Sequence, residues 1–202
     1  MLSSMSSDPS GPVDVRRRLL EGAARILDEE GPSALSVRRL ANEAGTSTMA
    51  VYTHFGAMGG VVDAVATEGF QRLIDHVATV AVSDDPAADL LAMAAAYRQN
   101  ALENQHLYSV MFGAVSVRGR GGHGPDLAVA HAAFRQLADA IERAMQAGVL
   151  RTGDPSAVAA QFWSALHGYT MLELAGMDQV VDDPEHEVLW RMLSNLLSAL
   201  AP

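Results

Sequence analysis

Apolar side chains recur every three or four residues along almost the whole chain, which is the spacing of one face of an α-helix. The segment from Val13 to Glu30 shows it clearly, because its leucines, alanines and isoleucine share one side and its charges lie mostly on the other. Gly31 and Pro32 then end the pattern. Alternating apolar and polar runs, which would indicate strands, do not stand out. The sequence therefore predicts an all-α protein of about nine helices.

Local capping signals divide this pattern into elements. Ser36 can cap a second helix that ends at Gly45, and Thr46 or Ser47 can cap a third that reaches about Phe55. Asp85-Pro86 and Asp154-Pro155 each combine an N-cap with a first-turn proline. Three further helices are predicted over about 58–82, 86–103 and 107–115. A long helix then ends at Gly148, and the last two helices cover about 155–175 and 187–200.

The charges are unevenly distributed along the chain. Its 14 basic residues are all arginine, and its formal net charge is −10. Residues 1–55 hold six Arg against seven acids, whereas residues 56–202 hold eight Arg against seventeen acids. This balance argues against a protein that coats nucleic acid nonspecifically, but it allows a local DNA-contacting head.

Several classes of function are excluded by what the sequence lacks. Without cysteine or lysine there is no thiol nucleophile, Cys-type zinc site, Schiff base or Walker-type phosphate grip. No catalytic residue, metal site or cofactor is predicted, and the glycine-rich segment 118–126 is expected to be a mobile loop. Residues 1–12 are expected to form a disordered tail rather than a signal peptide. Since no run approaches the roughly 20 apolar residues of a membrane span, we expect a soluble, cytoplasmic protein without a membrane partner.

The segment from Ser36 to Phe55, SVRRLANEAGTSTMAVYTHF, predicts two short helices that meet at an angle. Gly45 can adopt the positive φ that a sharp turn between helices requires. Side chains that face outward on the second of these helices are Ser47, Thr48, Met49, Ala50, Tyr52, Thr53 and His54. Short side chains suit base edges, and Tyr and His can donate to phosphates. By spacing alone the segment is either a helix-turn-helix or a surface helix of a bundle.

The run from Val13 to Val65 resembles the DNA-binding head of the TetR family of bacterial regulators. The shared pieces are ILDEEG, an Ala-x-x-Ala-Gly turn, a Tyr-x-His-Phe ending and VVDAV. The resemblance implies a homodimer whose three-helix heads, residues 13–57, read a pseudo-palindromic operator in double-stranded DNA, which would associate it with the nucleoid. It also implies a body, residues 58–202, that binds a small-molecule effector and dimerises.

Roles for individual residues follow from the same resemblance. It implies that Ser47, Thr48, Met49 and Ala50 face bases, and that Tyr52, Thr53 and His54 hold phosphates together with Ser36 and Arg38. Arg16, Arg17 and Arg18 lie where a basic arm could add phosphate contacts, although they equally suit a solvated helix face.

One departure from the family follows the Tyr-x-His-Phe ending. The family usually places a phosphate-gripping lysine there, whereas this chain reads GAMGG, with Met58 in that place and Gly59-Gly60 in the first turn. Each glycine weakens that turn by up to ~1 kcal/mol relative to alanine. The missing cation is expected to remove about one counterion per half-site from the salt dependence. The alternative is a helical small-molecule-binding or enzymatic dimer with a vestigial head.

The segment from Asp154 to Gly176 resembles a C-terminal domain of the same family, marked by Trp-x-x-x-His-Gly. Apolar residues wrap nearly round this helix and the last one, so each is expected to face both its own core and a twin subunit, or else a large monomeric core. The predicted dimer interface comprises Leu166, Tyr169, Thr170, Leu189, Met192, Leu193, Leu196 and Leu197. The predicted pocket for an apolar or aromatic effector comprises Met93, Tyr97, Tyr108, Met111, Phe112, Phe134, Phe162, Trp163, His167 and Met171. His167 is either a satisfied core group or a ligand contact, and Gly168 permits close helix approach.

Overall fold

The computed structural model describes residues 12–114 and 126–202. That part of the chain contains nine α-helices and no strand, so the all-α prediction is confirmed. The helices are α1 (Pro12–Glu30), α2 (Val37–Glu43), α3 (Thr48–Phe55), α4 (Met58–Val77), α5 (Pro86–Glu103), α6 (Gln105–Ala114), α7 (Leu127–Gln146), α8 (Pro155–Leu174) and α9 (Arg191–Leu200). A 3₁₀ turn, Pro32–Ala34, follows α1, and a π-helical turn, Glu185–Trp190, leads into α9. The expected tail, apart from Pro12, and the glycine-rich segment, apart from Asp126, lie outside the described residues.

Side-chain caps set the starts of four helices. Ser36 Oγ accepts a hydrogen bond from the Arg39 amide at 3.3 Å, and Ser47 Oγ accepts one from the Ala50 amide at 3.2 Å. The carboxylates of Asp85 and Asp154 likewise accept from amides in the first turns of α5 and α8. Because these amides have no partner inside the helix, a cap at each start stabilises it, and the four predicted starts are confirmed.

The helix α4 ends earlier than its sequence pattern predicts. It stops at Val77 rather than near residue 82. The Thr79 hydroxyl donates to the His76 carbonyl at 2.7 Å, and the Thr79 amide donates to the same oxygen at 3.1 Å. Local bonds of this kind offer the backbone an alternative to the next helical turn.

Two compact units make up the described chain. The first comprises the described residues up to Gly69 and those from His106 to Asp126, and the second comprises Phe70–Gln105 and Leu127–Pro202. The sequence predicts a head that ends at residue 57, whereas the first unit also takes in α4 up to Gly69. The reason is the packing of α6: a Cβ atom at Gly69 would lie 2.6 Å from Met111 Cγ. Glycine at this position therefore allows α4 and α6 to approach closely.

Each unit has a core of its own. Leu19, Ile26, Leu40, Val51 and Val61 are fully buried in the first unit. In the second unit, α7 packs against α5 and α8, and α8 packs against α9. None of the described helices is long and apolar enough to cross a lipid bilayer.

Five residues predicted to form the dimer interface lie instead in the interior of the subunit. They are Leu166, Tyr169, Thr170, Leu189 and Leu193, and each is at most 6% exposed. Met192, Leu196 and Leu197 remain half-exposed. An apolar side chain that already contacts its own core has no surface left for a partner, so any partner helix would contact the residues beside these five.

Candidate nucleic-acid interface

The turn between α2 and α3 fixes the angle at which the two helices meet. Gly45 has a φ of +60°, in the left-handed region where a Cβ atom is strained. The Gly45 amide donates to the Asn42 carbonyl at 3.2 Å, and the Thr46 amide donates to the Ala41 carbonyl at 2.9 Å. These bonds close the end of α2. The cap at Ser47 then starts α3 at once, so the two helices have little freedom relative to each other.

The helix α3 has one buried side and one exposed side. Val51 is fully buried, whereas Met49 is 70% exposed and Tyr52 is 49% exposed. Thr48 and Thr53 are also exposed, and the Thr53 hydroxyl donates to the Met49 carbonyl at 2.9 Å. The spacing i, i+1, i+4 and i+5 brings these four predicted contact residues onto the same side of the helix. Ser47 is exposed at its start, and Ala50 and His54 are half-buried at its edges.

The three arginines predicted as a basic arm have different surroundings. Arg17 pairs with Asp14 at 2.9 Å and with Glu21 at 3.3 Å, and Arg18 pairs with Asp14 at 3.0 Å. The hydrogen bond to Asp14, with the charge of Glu21, raises the pKa of Arg17 above its ordinary value. Arg16 instead lies over an aromatic ring at the end of α3. The three arginines therefore differ in their partners, and their predicted contacts with DNA stay a prediction.

An ion-pair network that the sequence reasoning missed holds α2 against α1. Glu43 accepts hydrogen bonds from Arg39 at 2.7 Å and from Arg25 at 3.2 Å, and Arg39 also reaches Glu30 at 2.6 Å. These hydrogen bonds hold the pKa of Glu43 below its ordinary value, and the bond from Arg39 has the largest effect. The i, i+4 spacing of Arg39 and Glu43 was the available sequence signal. The neighbouring Arg38, which was predicted to touch DNA, is exposed.

The glycines after α3 have a packing role. A Cβ atom at Gly60 would lie 2.1 Å from the carbonyl oxygen of Phe55, far inside van der Waals contact. Only glycine therefore lets the first turn of α4 begin so close to the last residue of α3. From the sequence alone, Gly59-Gly60 is expected to weaken the first turn of α4, and it is the feature that favours a vestigial head. The close approach gives a separate packing reason for glycine at position 60.

Four of the predicted effector residues come together in the second unit. The Tyr97 hydroxyl and His167 Nδ1 are hydrogen-bonded at 3.1 Å across α5 and α8. The Trp163 ring stacks on the His167 ring with centroids 5.5 Å apart, and the Phe134 ring of α7 meets Trp163 edge-on at 6.2 Å. Burial lowers the pKa of His167 below its ordinary value, so the imidazole is neutral at pH 7. We call these four residues the aromatic cluster.

The other predicted effector residues are divided between the two units. Tyr108, Met111 and Phe112 belong to the first unit, where the rings of Tyr108 and Phe112 are 4.8 Å apart. In the second unit Phe162 is buried, Met93 is half-buried and Met171 is exposed.

The exposed residues of α8 are uncharged, and they include the large side chains of Trp163, Met171 and Leu172 as well as smaller ones. Those at helical spacing are Ala157, Gln161, Ser164, Gly168 and Leu172, which we call the α8 stripe. A Cβ atom at Gly168 would have no atom within 4 Å. Nothing described within the subunit therefore accounts for a glycine there. An open groove along the π-helical turn and α9 has four apolar lining residues, Val188, Met192, Leu196 and Ala199, and three polar ones, Glu187, Arg191 and Asn195.

Comparison with known proteins covers both parts of the chain. Residues 19–65 match the family model "Bacterial regulatory proteins, tetR family", and residues 90–196 match "Tetracyclin repressor-like, C-terminal domain". An uncharacterized HTH-type transcriptional regulator of Mycobacterium tuberculosis is 32% identical over 171 residues, which are 83% of this chain and 73% of that protein. The transcriptional repressor AcnR of Corynebacterium efficiens is 38% identical over 66 residues, which are 33% of this chain and 35% of that protein. A solved protein of unknown function from Rhodococcus sp. RHA1 matches over the full length of both chains, with 27% identity and a TM-score of 0.79.

Proposed function

This chain belongs to the TetR family of bacterial regulators and is a DNA-binding transcriptional regulator, and from that premise we propose that it is a homodimeric repressor released from DNA by a small effector. Its likeness to AcnR, a repressor, supports repression as the direction of control. Two heads related by two-fold symmetry would read the halves of a pseudo-palindromic operator. The protein would act on DNA in the cytoplasm, by binding and without catalysis.

The exposed side of α3 is the observation that carries this proposal. Thr48 and Met49 stand in the first turn of the helix, where a side chain is best placed to reach base edges in the major groove. Met49 is 70% exposed, so binding to DNA can bury much of its side chain. Its flexible thioether suits contact with a thymine methyl group. Tyr52, one turn later, carries a hydroxyl group that can donate to a phosphate. The Thr53 hydroxyl would first have to release the Met49 carbonyl, to which it donates at 2.9 Å.

The α8 stripe supports the homodimer. A regulator that reads two half-sites needs a surface that pairs with itself, and a C2 interface is isologous. Ala157, Ser164 and Gly168 are small enough to let a second helix approach closely, and the space beside Gly168 is open. The groove along the π-helical turn and α9, with apolar residues flanked by polar ones, would extend the same interface.

The aromatic cluster supports an apolar or aromatic effector. None of its four side chains is charged at pH 7, since burial keeps His167 neutral. Trp163 is 37% exposed, so part of its ring surface is open to a ligand. A molecule that binds the cluster better in one state of the dimer than in the other would shift the separation of the heads.

Selection of bound sequences from random duplex DNA at about 0.1 M salt tests the proposal. We expect an inverted repeat whose half-sites are about 10 base pairs apart or a multiple of that. Met49→Ala should weaken binding to the selected repeat by about 1–3 kcal/mol, whereas Val82→Ala, an equally exposed apolar residue of the second unit, should not. Recovery of no enriched sequence would favour the dimer with a vestigial head, and an asymmetric sequence would contradict the paired heads.

A further inference from the structure

The arginines of the head fall into two groups according to their partners. Four of them pair with carboxylates: Arg17 and Arg18 with Asp14, and Arg25 and Arg39 with Glu43. Arg16 and Arg38 form no ion pair with any residue of the described ranges. A cation that already has a carboxylate partner releases fewer counterions from DNA than a free one, so these two arginines carry most of the usable positive charge of the head.

Arg16 is placed beside the end of α3 although it belongs to α1. Its Cζ atom lies 5.4 Å from the centre of the Phe55 ring, within the range of a cation–π interaction. Phe55 is the last residue of α3, and its ring centre is 6.4 Å from that of His54. The side chain of Arg16 is exposed. The ring thus holds a solvent-accessible guanidinium next to a residue expected to contact DNA.

A cation is needed at this end of α3. From Thr48 to Val61 the chain contains no arginine or lysine, and His54 is its one basic residue. The carbonyl groups at a helix C-terminus carry a partial negative charge, which repels a phosphate. A duplex that lies along α3 therefore meets an unfavourable potential at Phe55 unless a neighbouring element supplies a positive charge.

We propose that Arg16 is a phosphate-binding residue of the DNA interface and that the Phe55 ring holds its guanidinium at the end of α3. The proposal rests on DNA binding by this head. Arg16 supplies from α1 the charge that Met58 does not supply from α4. Arg17, one residue further along α1, is compensated by Asp14 and Glu21 and does not share this role.

The dependence of DNA affinity on salt concentration tests this assignment. Binding is measured to the selected operator and to a scrambled duplex of equal length, because a phosphate contact acts on both. Arg16→Ala should reduce the slope of log K against log salt by about 0.9 per half-site on each DNA, whereas Arg17→Ala should leave the slope unchanged. A parental slope in Arg16→Ala, with the thermal unfolding midpoint also unchanged, would overturn the proposal.

The role of the Phe55 ring is tested by a double-mutant cycle. Phe55→Leu keeps an apolar side chain but removes the ring, so it should weaken scrambled-duplex binding in the parent and have a smaller effect in the Arg16→Ala background. Equal effects in the two backgrounds would overturn the holding role of the ring. If no operator is selected at all, sequence-specific regulation fails, yet the scrambled duplex still decides whether Arg16 binds phosphate.

Discussion

Two glycines of this chain have opposite surroundings. The Cβ position of Gly60 collides with the Phe55 carbonyl oxygen at 2.1 Å, while that of Gly168 meets no atom within 4 Å. Packing inside the subunit therefore requires the first glycine and leaves the second unexplained. A glycine in a helix weakens that helix by roughly 1 kcal/mol relative to alanine, and no contact within the described subunit offsets this cost at Gly168.

Gly60→Ala should destabilise the first unit by about 1–3 kcal/mol, because the added methyl group forces α4 away from the end of α3. It should also lower DNA affinity, since α3 loses its fixed position. Urea unfolding measures the stability. Gly113→Ala is the matched control, because a Cβ atom there meets nothing within 4 Å. A Gly60→Ala protein as stable as the control would contradict the close approach.

At the residue scale, the sequence predicts exposure better than it predicts partners. Met49, Tyr52 and Thr53 are exposed as the helical spacing indicates. Tyr97 and His167, in contrast, are 70 positions apart in the chain and meet only because α5 packs near α8. No local pattern encodes such a contact, so sequence reasoning left His167 open between a core group and a ligand contact.

At the scale of elements, helix starts were predictable because their causes are local. A capping side chain and the amides it accepts from are two or three residues apart, as at Asp85 and Asp154. The buried side of α8 was not predictable in this way, since its apolar residues surround the helix. The sequence therefore predicts Leu166 and Tyr169 at the interface with a partner, although both are buried within their own subunit. The exposed positions combine small residues with the larger Trp163, Met171 and Leu172, and apolar periodicity alone does not separate these from the buried ones.

The helix α8 gives a test of the homodimer. Gly168→Arg places a long charged side chain in the middle of the α8 stripe, so it should convert the dimer to a monomer and reduce operator affinity by at least tenfold through loss of the second head. Sedimentation equilibrium measures the mass. Glu142→Arg, which adds the same side chain at an exposed position of α7, should remain dimeric. Because the space beside Gly168 is open, the fold should survive, and a dimeric Gly168→Arg protein would exclude this interface.

At the scale of the whole molecule, most of the negative charge, which repels DNA, belongs to a different part of the sequence from the predicted DNA-contacting residues. Residues 1–55 have a net charge of −1, and residues 56–202 have a net charge of −9. In the proposed complex, Arg16 and Arg38 would act at contact distance, whereas carboxylates outside the interface would act through solvent. Salt weakens both effects, but it screens the long-range repulsion first, because the Debye length is about 30 Å at 0.01 M and about 8 Å at 0.15 M.

This difference in range predicts how acidic residues far along the chain from α3 affect DNA binding. Asp84 and Asp182 are exposed, and neither is predicted to contact DNA. Replacing both with asparagine should raise operator affinity by roughly twofold or more at 0.01 M salt, because less negative charge then repels the duplex. At 0.15 M salt the same variant should bind like the parent, since screening has already removed that repulsion. Fluorescence anisotropy with a labelled operator measures both affinities. An equal gain in affinity at the two salt concentrations would mean that these carboxylates act by contact with DNA. The prediction that the acids of residues 56–202 repel DNA only through solvent would then be wrong.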